Sequence, residues 1–298
     1  MKSSFAALAL LLLLYVSGGA QAETQNLFAA ETEFDRIIIE KGATGAFMDY
    51  LLPDAVLFKP NAVNGRDYYR LNTDADSYNL VRRVTDADVS SNGLLGYTTG
   101  DWRVYKKGES EASAKFGQSV TIWKKNGEGK FRIALDISIT HDKLTFDHTD
   151  RAAKGAKGSD PNKRGWSPAD ASMNFFRMSM SSNGLAEGYE RFAADYVRLL
   201  IEKEPPLLGK QRVITAIKDY RSIAFPLKVT SFVSGDMAYT WNPCEFDNYG
   251  EGVEKGNCLH IWKLKKKKWW IVVGVFARIS KTVPPKLLEK RAKAGEIN

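Results

Sequence analysis

The chain has few of the side chains that usually carry metal, redox or nucleophilic chemistry. It holds two cysteines and three histidines in 298 residues. His141, His148 and His260 are too scattered to suggest a metal site. Cys244 and Cys258 do not form a Cys-x-x-Cys pair. A phosphate-binding glycine loop, a His-Glu-x-x-His helix and a Gly-x-Ser-x-Gly elbow are all missing. No metal and no cofactor is therefore expected. Long apolar runs are equally scarce, the one clear case being Phe5 to Val16. With Met1-Lys2 before it and Ala20-Gln21-Ala22 after it, that run has the form of a secretory signal. Residues 1–22 are expected to be removed on export to a periplasmic or secreted location. No stable membrane insertion is expected, because the run is short for a span. Oxidising conditions then permit a Cys244–Cys258 disulfide; the other reading is two buried thiols.

Charge of one sign is unevenly placed. The net charge is +8. Arg151 to Pro168 carries five basic residues and one acid, and Arg278 to Asn298 six basic residues and two acids. The remainder is near neutral, so the basicity belongs to a linker (150–168) and a tail (281–298). That distribution argues against a nucleic-acid partner.

What the chain does contain is repetition. "GQSVTIWKKNGEGKFRIALDI" (Gly117 to Ile137) aligns with "GNCLHIWKLKKKKWWIVVGV" (Gly256 to Val275), Ile122-Trp123-Lys124 over Ile261-Trp262-Lys263. Upstream, Tyr97-Thr98 aligns with Tyr239-Thr240. An offset of about 140 residues holds throughout, which indicates a tandem duplication. Asn126-Gly127-Glu128-Gly129 is a hairpin signal, so Lys265 to Lys268 are read as the tip of the matching hairpin. Each copy opens on a helix. In the first, Leu27, Ala30, Phe34, Ile37 and Ile38 form one apolar stripe; the second starts just after Ser167-Pro168. The expected class is α+β: two tandem cone-shaped domains, residues 23–149 and 169–280, each a curved antiparallel sheet wrapped over N-terminal helices.

Three segments, "YLLPDAVLFKPNAVNGRDYYR", "LLGYTTGDWRV" and "TIWKKNGEGKFRIALDI", with the opening amphipathic helix, resemble the nuclear transport factor 2-like, or SnoaL-like, superfamily. The resemblance covers Leu27 to His141 well and Ala171 to Ile279 more loosely, and is nearest to the exported branch of unknown function. It implies a cone enclosing a pocket. Members include ketosteroid isomerase, polyketide cyclases, dehydratases and domains without catalysis, so the fold leaves the function open. Carried over by motif, the isomerase base position falls on Lys59, the oxyanion acid on Thr121 and the tyrosine near Asp35. In the second copy these become Ile201, His260 and about Arg177. The acid/base set of steroid isomerisation is not matched in either copy.

The resemblance implies that the face carrying Thr121 points into the cone, so Ser119, Thr121 and Trp123 should line it. On the next strand Arg132, Ala134, Asp136 and Ser138 share one face, and the expected pocket takes that face as the inward one; the reverse parity would put Ile133, Leu135, Ile137 and Ile139 against the helices. Lys59, Asp136 and Arg132 are then expected near one another, with Tyr50, Tyr97, Trp102 and Trp123 as walls. In the second copy Tyr239, His260 and Trp262 line a less polar cavity. Ile133, Leu135, Ile137 and Ile139, with Ile271, Val273 and Val275, are expected on the outer sheet faces, which an internal pseudo-dimer or a homodimer would cover. Three functions remain open. One is binding of a small, partly apolar molecule. Another is a cofactor-free isomerase, dehydratase or cyclase using Lys59 and Asp136. The last is an interaction module with collapsed pockets.

Overall fold

The structure, a computed structural model, describes residues 3–144, 165–248 and 252–282, with side chains from Gln21 onward. His148, most of the basic linker and most of the tail lie outside the described residues. The chain divides into two compact units.

The first unit opens with α1 (Ser3–Tyr50). The helical path breaks at Gly42, whose φ of 83° lies in the left-handed region. A Cβ there would sit 2.3 Å from Asp76 Oδ1. That same oxygen accepts the Thr44 N–H at 2.9 Å, restarting the helix beyond the break. Then follow β1 (Leu51–Phe58), β2 (Ala62–Asn64), α2 (Gly65–Leu71), β3 (Tyr78–Val89), β4 (Leu95–Lys106), β5 (Lys115–Lys125) and β6 (Phe131–His141). Their sheet order is β2-β1-β6-β5-β4-β3.

The second unit repeats the plan. It holds α3 (Pro168–Ser179), α4 (Gly184–Phe192), β7 (Ala193–Ile201), β8 (Leu207–Leu208), α5 (Lys210–Ala216), β9 (Tyr220–Ser222), β10 (Thr230–Ser234), β11 (Met237–Asn248), β12 (Val253–Lys265) and β13 (Lys268–Thr282). Ser167 and Asp170 form a reciprocal capping box at the start of α3, with Pro168 in its first turn. Gly184 (φ 61°) stands where Gly42 stands in the first unit, and a Cβ on it would meet the Tyr220 carbonyl at 2.3 Å. The order β10-β11-β12-β13-β7-β8 is the first sheet's order strand for strand, with β9 added beside β11.

Each sheet is mixed, not wholly antiparallel, because β1 pairs β6 and β7 pairs β13 in parallel. Both parallel pairs carry the same irregularity. Leu51 lies opposite Ile133 and Val56 opposite Leu135. Ala193 lies opposite Ile271 and Arg198 opposite Val273. On its other side β13 fits Val272 as an extra residue between the partners of Ile261 and Trp262. A residue inserted this way resets which side chains share a face. The expected outward set is corrected accordingly. Ile133 and Ile271 belong to the helix-facing cores, the first with Phe34, Phe47 and Trp123, the second with Phe175, Tyr189 and Trp262.

Cys244 and Cys258 are joined across β11 and β12, with Cα atoms 5.9 Å apart and 14 residues of separation. By loop closure alone, such a link stabilises by about 3 kcal/mol. Replacing both cysteines with serine should lower the urea midpoint by that equivalent, and reductant should have no further effect on the variant.

Candidate functional site in the first unit

One local frame recurs in both units. The Trp123 indole is fully buried and donates to Thr98 Oγ1 at 3.1 Å. Trp262, equally buried, donates to Thr240 Oγ1 at 2.9 Å. Each indole meets an aromatic ring at the end of a helix edge to face: Tyr50 on Trp123 at 6.0 Å and 87°, Phe192 on Trp262 at 6.4 Å and 89°. Each threonine in turn donates to a helix residue, Thr98 to Glu31 Oε2 at 2.9 Å and Thr240 to Ser172 Oγ at 3.4 Å. The two units diverge at this last contact.

In the first unit the network is charged. Arg82 on β3 places Nη2 2.9 Å from Glu31 Oε1 and donates to Thr121 Oγ1 at 3.2 Å. Thr121 donates to Asp136 Oδ2 at 2.8 Å. Asp35, one helical turn after Glu31, has its Oδ1 3.7 Å from Arg82 Nη1. The Arg82 guanidinium also lies over the Phe34 ring at 5.0 Å. Two carboxylates thus contact one arginine, and a third, Asp136, is linked to it through Thr121. Burial pushes the Glu31 and Asp35 carboxyls above their ordinary range, and the Arg82 charge opposes that rise. Tyr69 on α2 stacks on Phe47 at 4.7 Å; burial, reinforced by the nearby Asp136 charge, pushes its phenol well up.

Several expected positions meet here. Tyr50, Thr121, Trp123 and Asp136 converge, and Trp102 shares their face because it pairs opposite Arg82. Its indole N–H is buried and makes no hydrogen bond. Arg132 caps the Tyr50 ring at 5.1 Å and so stands at the rim of the cluster, not beside Asp136. Lys59 is a correction. Strand β1 ends at Phe58, and a turn through a cis Lys59–Pro60 bond leaves the lysine exposed, its ammonium 5.7 Å over Tyr68. No Lys59–Asp136 pair forms. Tyr97 and Tyr239 are corrections too. Each precedes the threonine that holds the buried indole, so alternation puts it on the opposite sheet face.

The cation and one carboxylate of the cluster were missed in the sequence, though one signal was present. Glu31 lies within the α1 stripe, four residues after Leu27 and three before Phe34. An acid in an apolar stripe needs a buried partner. Arg82 offered no such signal, since Arg83 beside it is exposed and pairs with Asp101.

The second unit is filled instead. Position for position with Asp136 stands Gly274, where a Cβ would lie 2.2 Å from Tyr189 Oη. His260 occupies the place of Thr121, packed by Phe175 at 4.6 Å, Trp262 at 5.6 Å and Tyr189 at 6.0 Å. Its Nε2 lies 3.4 Å from Tyr189 Oη, and the tautomer of the ring sets which of the two donates. Burial lowers the His260 pKa to about 3 and pushes the Tyr189 phenol up. A cavity of about 10 Å³ remains among Tyr189, His260, Phe246 and Phe276, roughly one water's space.

Among solved structures, the chain is similar to an NTF-2 like protein of unknown function from Shewanella oneidensis (16% identity, 39% of this chain and 97% of that one, TM-score 0.32). It is similar to a ketosteroid isomerase-like protein from Erwinia carotovora (12% identity, 40% and 95%, TM-score 0.32). A third is a putative scytalone dehydratase from Novosphingobium aromaticivorans (9% identity, 43% and 89%, TM-score 0.35). No protein-family profile and no curated protein matches the sequence. The fold class is α+β, with two units of one strand order in tandem.

Proposed function

We propose that the first unit binds a small, partly apolar molecule through a polar group that reaches the Glu31–Arg82–Thr121–Asp136 network, and that the second unit is a structural partner. The observation that carries this reading is the divergence of one duplicated frame. The first copy holds buried Glu31 and Asp136, half-exposed Asp35, and Arg82, whereas the second has Ser172 for Glu31, His260 for Thr121 and Gly274 for Asp136 in an apolar interior. Buried charge of this kind is costly to retain for stability alone. It clusters where a ligand or proton is handled. In this reading Phe34, Tyr50 and Trp102 form the apolar side of the site, and half-exposed Arg132 and Asp35 its rim. Because Lys59 lies elsewhere, an acid/base pair of Lys59 and Asp136 is set aside. Export of the mature chain from Glu23 onward is part of the same proposal and rests on the signal-like N-terminal pattern.

Native mass spectrometry of the purified chain tests it. A bound mass is expected on the wild type and on His260→Phe, and its occupancy should fall about tenfold in Asp136→Asn, the scale of one hydrogen bond to a charged group. Equal occupancy in Asp136→Asn and wild type would remove the first-unit site.

A further inference from the structure

The lysine hairpin of the second unit is not used by that reading. Lys265 and Lys268 pair as the last ladder residues of β12 and β13, so Lys266 and Lys267 alone make the turn. Both have positive φ, 52° and 65°, the geometry of a type I′ turn that favours Asn-Gly. Left-handed backbone costs a residue with a Cβ about 1 kcal/mol. The matching hairpin of the first unit avoids that cost. There Asn126 and Gly129 (φ 73°) shape the turn, and its charges are matched, Lys125 with Glu23 and Lys130 with Glu128. In the second unit Lys265, Lys266 and Lys267 are exposed, and among the described residues none of the three is ion-paired.

The tip is also braced. Lys267 O accepts from the Gly165 N–H at 3.4 Å, and buried Trp269 donates its indole N–H to Trp166 O at 3.0 Å. Trp166 stacks on Phe192 at 6.4 Å and 14°. Beside the tip, half-buried Trp270 pairs across the ladder from Lys263. Three ammoniums held forward on a fixed turn, with an amphipathic indole behind them, match the chemistry of an anionic headgroup layer. Lysine supplies diffuse attraction to such a layer. Bidentate reading of nucleic-acid phosphates and bases favours arginine, and the tip contains none.

We propose that this hairpin tip docks the protein on anionic phospholipid surfaces, without insertion. The attraction is electrostatic, near 1 kcal/mol per lysine, so three lysines correspond to roughly a hundredfold in binding. No described helix is long and apolar enough to cross a membrane.

Co-sedimentation of the full chain tests this, using phosphatidylcholine vesicles with and without phosphatidylglycerol. Binding is expected only with phosphatidylglycerol, and it should weaken with salt. The K265Q/K266N/K267G variant should lose roughly a hundredfold while keeping its fold, since its turn chemistry is improved. A variant with the same charge change on the first unit, K106Q/K107Q/K115Q, should bind as wild type. Equal loss in both variants would mean net charge alone and overturn the proposal, as would equal binding to both vesicle types. Absence of vesicle binding, with a DNA duplex bound by the wild type and released by the tip variant, would overturn it in favour of nucleic acid.

The two turn changes carry a separate expectation. K266N/K267G alone should raise stability by about 1 kcal/mol, read as a higher urea midpoint at unchanged slope.

Discussion

Arg82→Met should destabilise the protein by about 3–5 kcal/mol, the cost of leaving a buried carboxylate without its cation. Glu31 is 1% exposed, and the Arg82 guanidinium is the one cation contacting it among the described residues. The same change removes the donor to Thr121, which keeps its bond to Asp136, and removes the charge facing Asp35. The loss should depend on pH. Burial raises the Glu31 carboxyl above 4.5 and the Asp35 carboxyl above 3.8. A raised carboxyl favours the folded state below its unfolded pKa, and that contribution is lost as pH rises through the folded value. Without Arg82 the two acids rise further, so Arg82→Met should be milder near pH 4 than at pH 7. Denaturant titrations at both values measure this. Adding Glu31→Gln to Arg82→Met should restore part of the loss, and simple additivity of the two changes would show that the pair does not interact.

His260 is expected to set the acid limit of the second unit. Its folded pKa is lowered from 6.5 to about 3 by burial, so the folded state holds the ring neutral where the unfolded chain protonates it. The sign is the opposite of that for Glu31. Stability is full above pH 6.5 and falls as pH drops toward 3, by about 4–5 kcal/mol over the window. The neighbours Phe175, Phe176, Tyr189 and Trp262 offer no carboxylate to hold the imidazolium. His260→Phe should therefore flatten the acid limb of a stability–pH curve between those values. An unchanged acid limb in that variant would place the lability on other groups.

Much of the architecture was legible because the duplication repeats motifs with strong local meaning. Tyr-Thr and Ile-Trp-Lys fall on neighbouring strands in both units, and the threonine-to-tryptophan hydrogen bond ties them together. The turn signal at Asn126-Gly127 and the helix-start signal at Ser167-Pro168 were equally plain. The site was less legible, for geometric reasons. Alternation predicts faces only while a strand stays regular, and Ile133 and Asp136, three positions apart on β6, both lie on the helix-facing side. A strand's end cannot be read from alternation either, and β1 stops one residue before Lys59. Arg82 and Arg83 are chemically identical neighbours, so only the sheet decides which one is buried.

The absent side chain at Gly274 has an evolutionary corollary. An aspartate there would drive its Cβ into the Tyr189 hydroxyl, so the second unit cannot take the first unit's acid unless the tyrosine changes as well. Since Tyr189 is fully enclosed, shrinking it first would open a hole in the packing. Either order passes through a weakened intermediate, and the two halves of the chain are thereby held to separate careers.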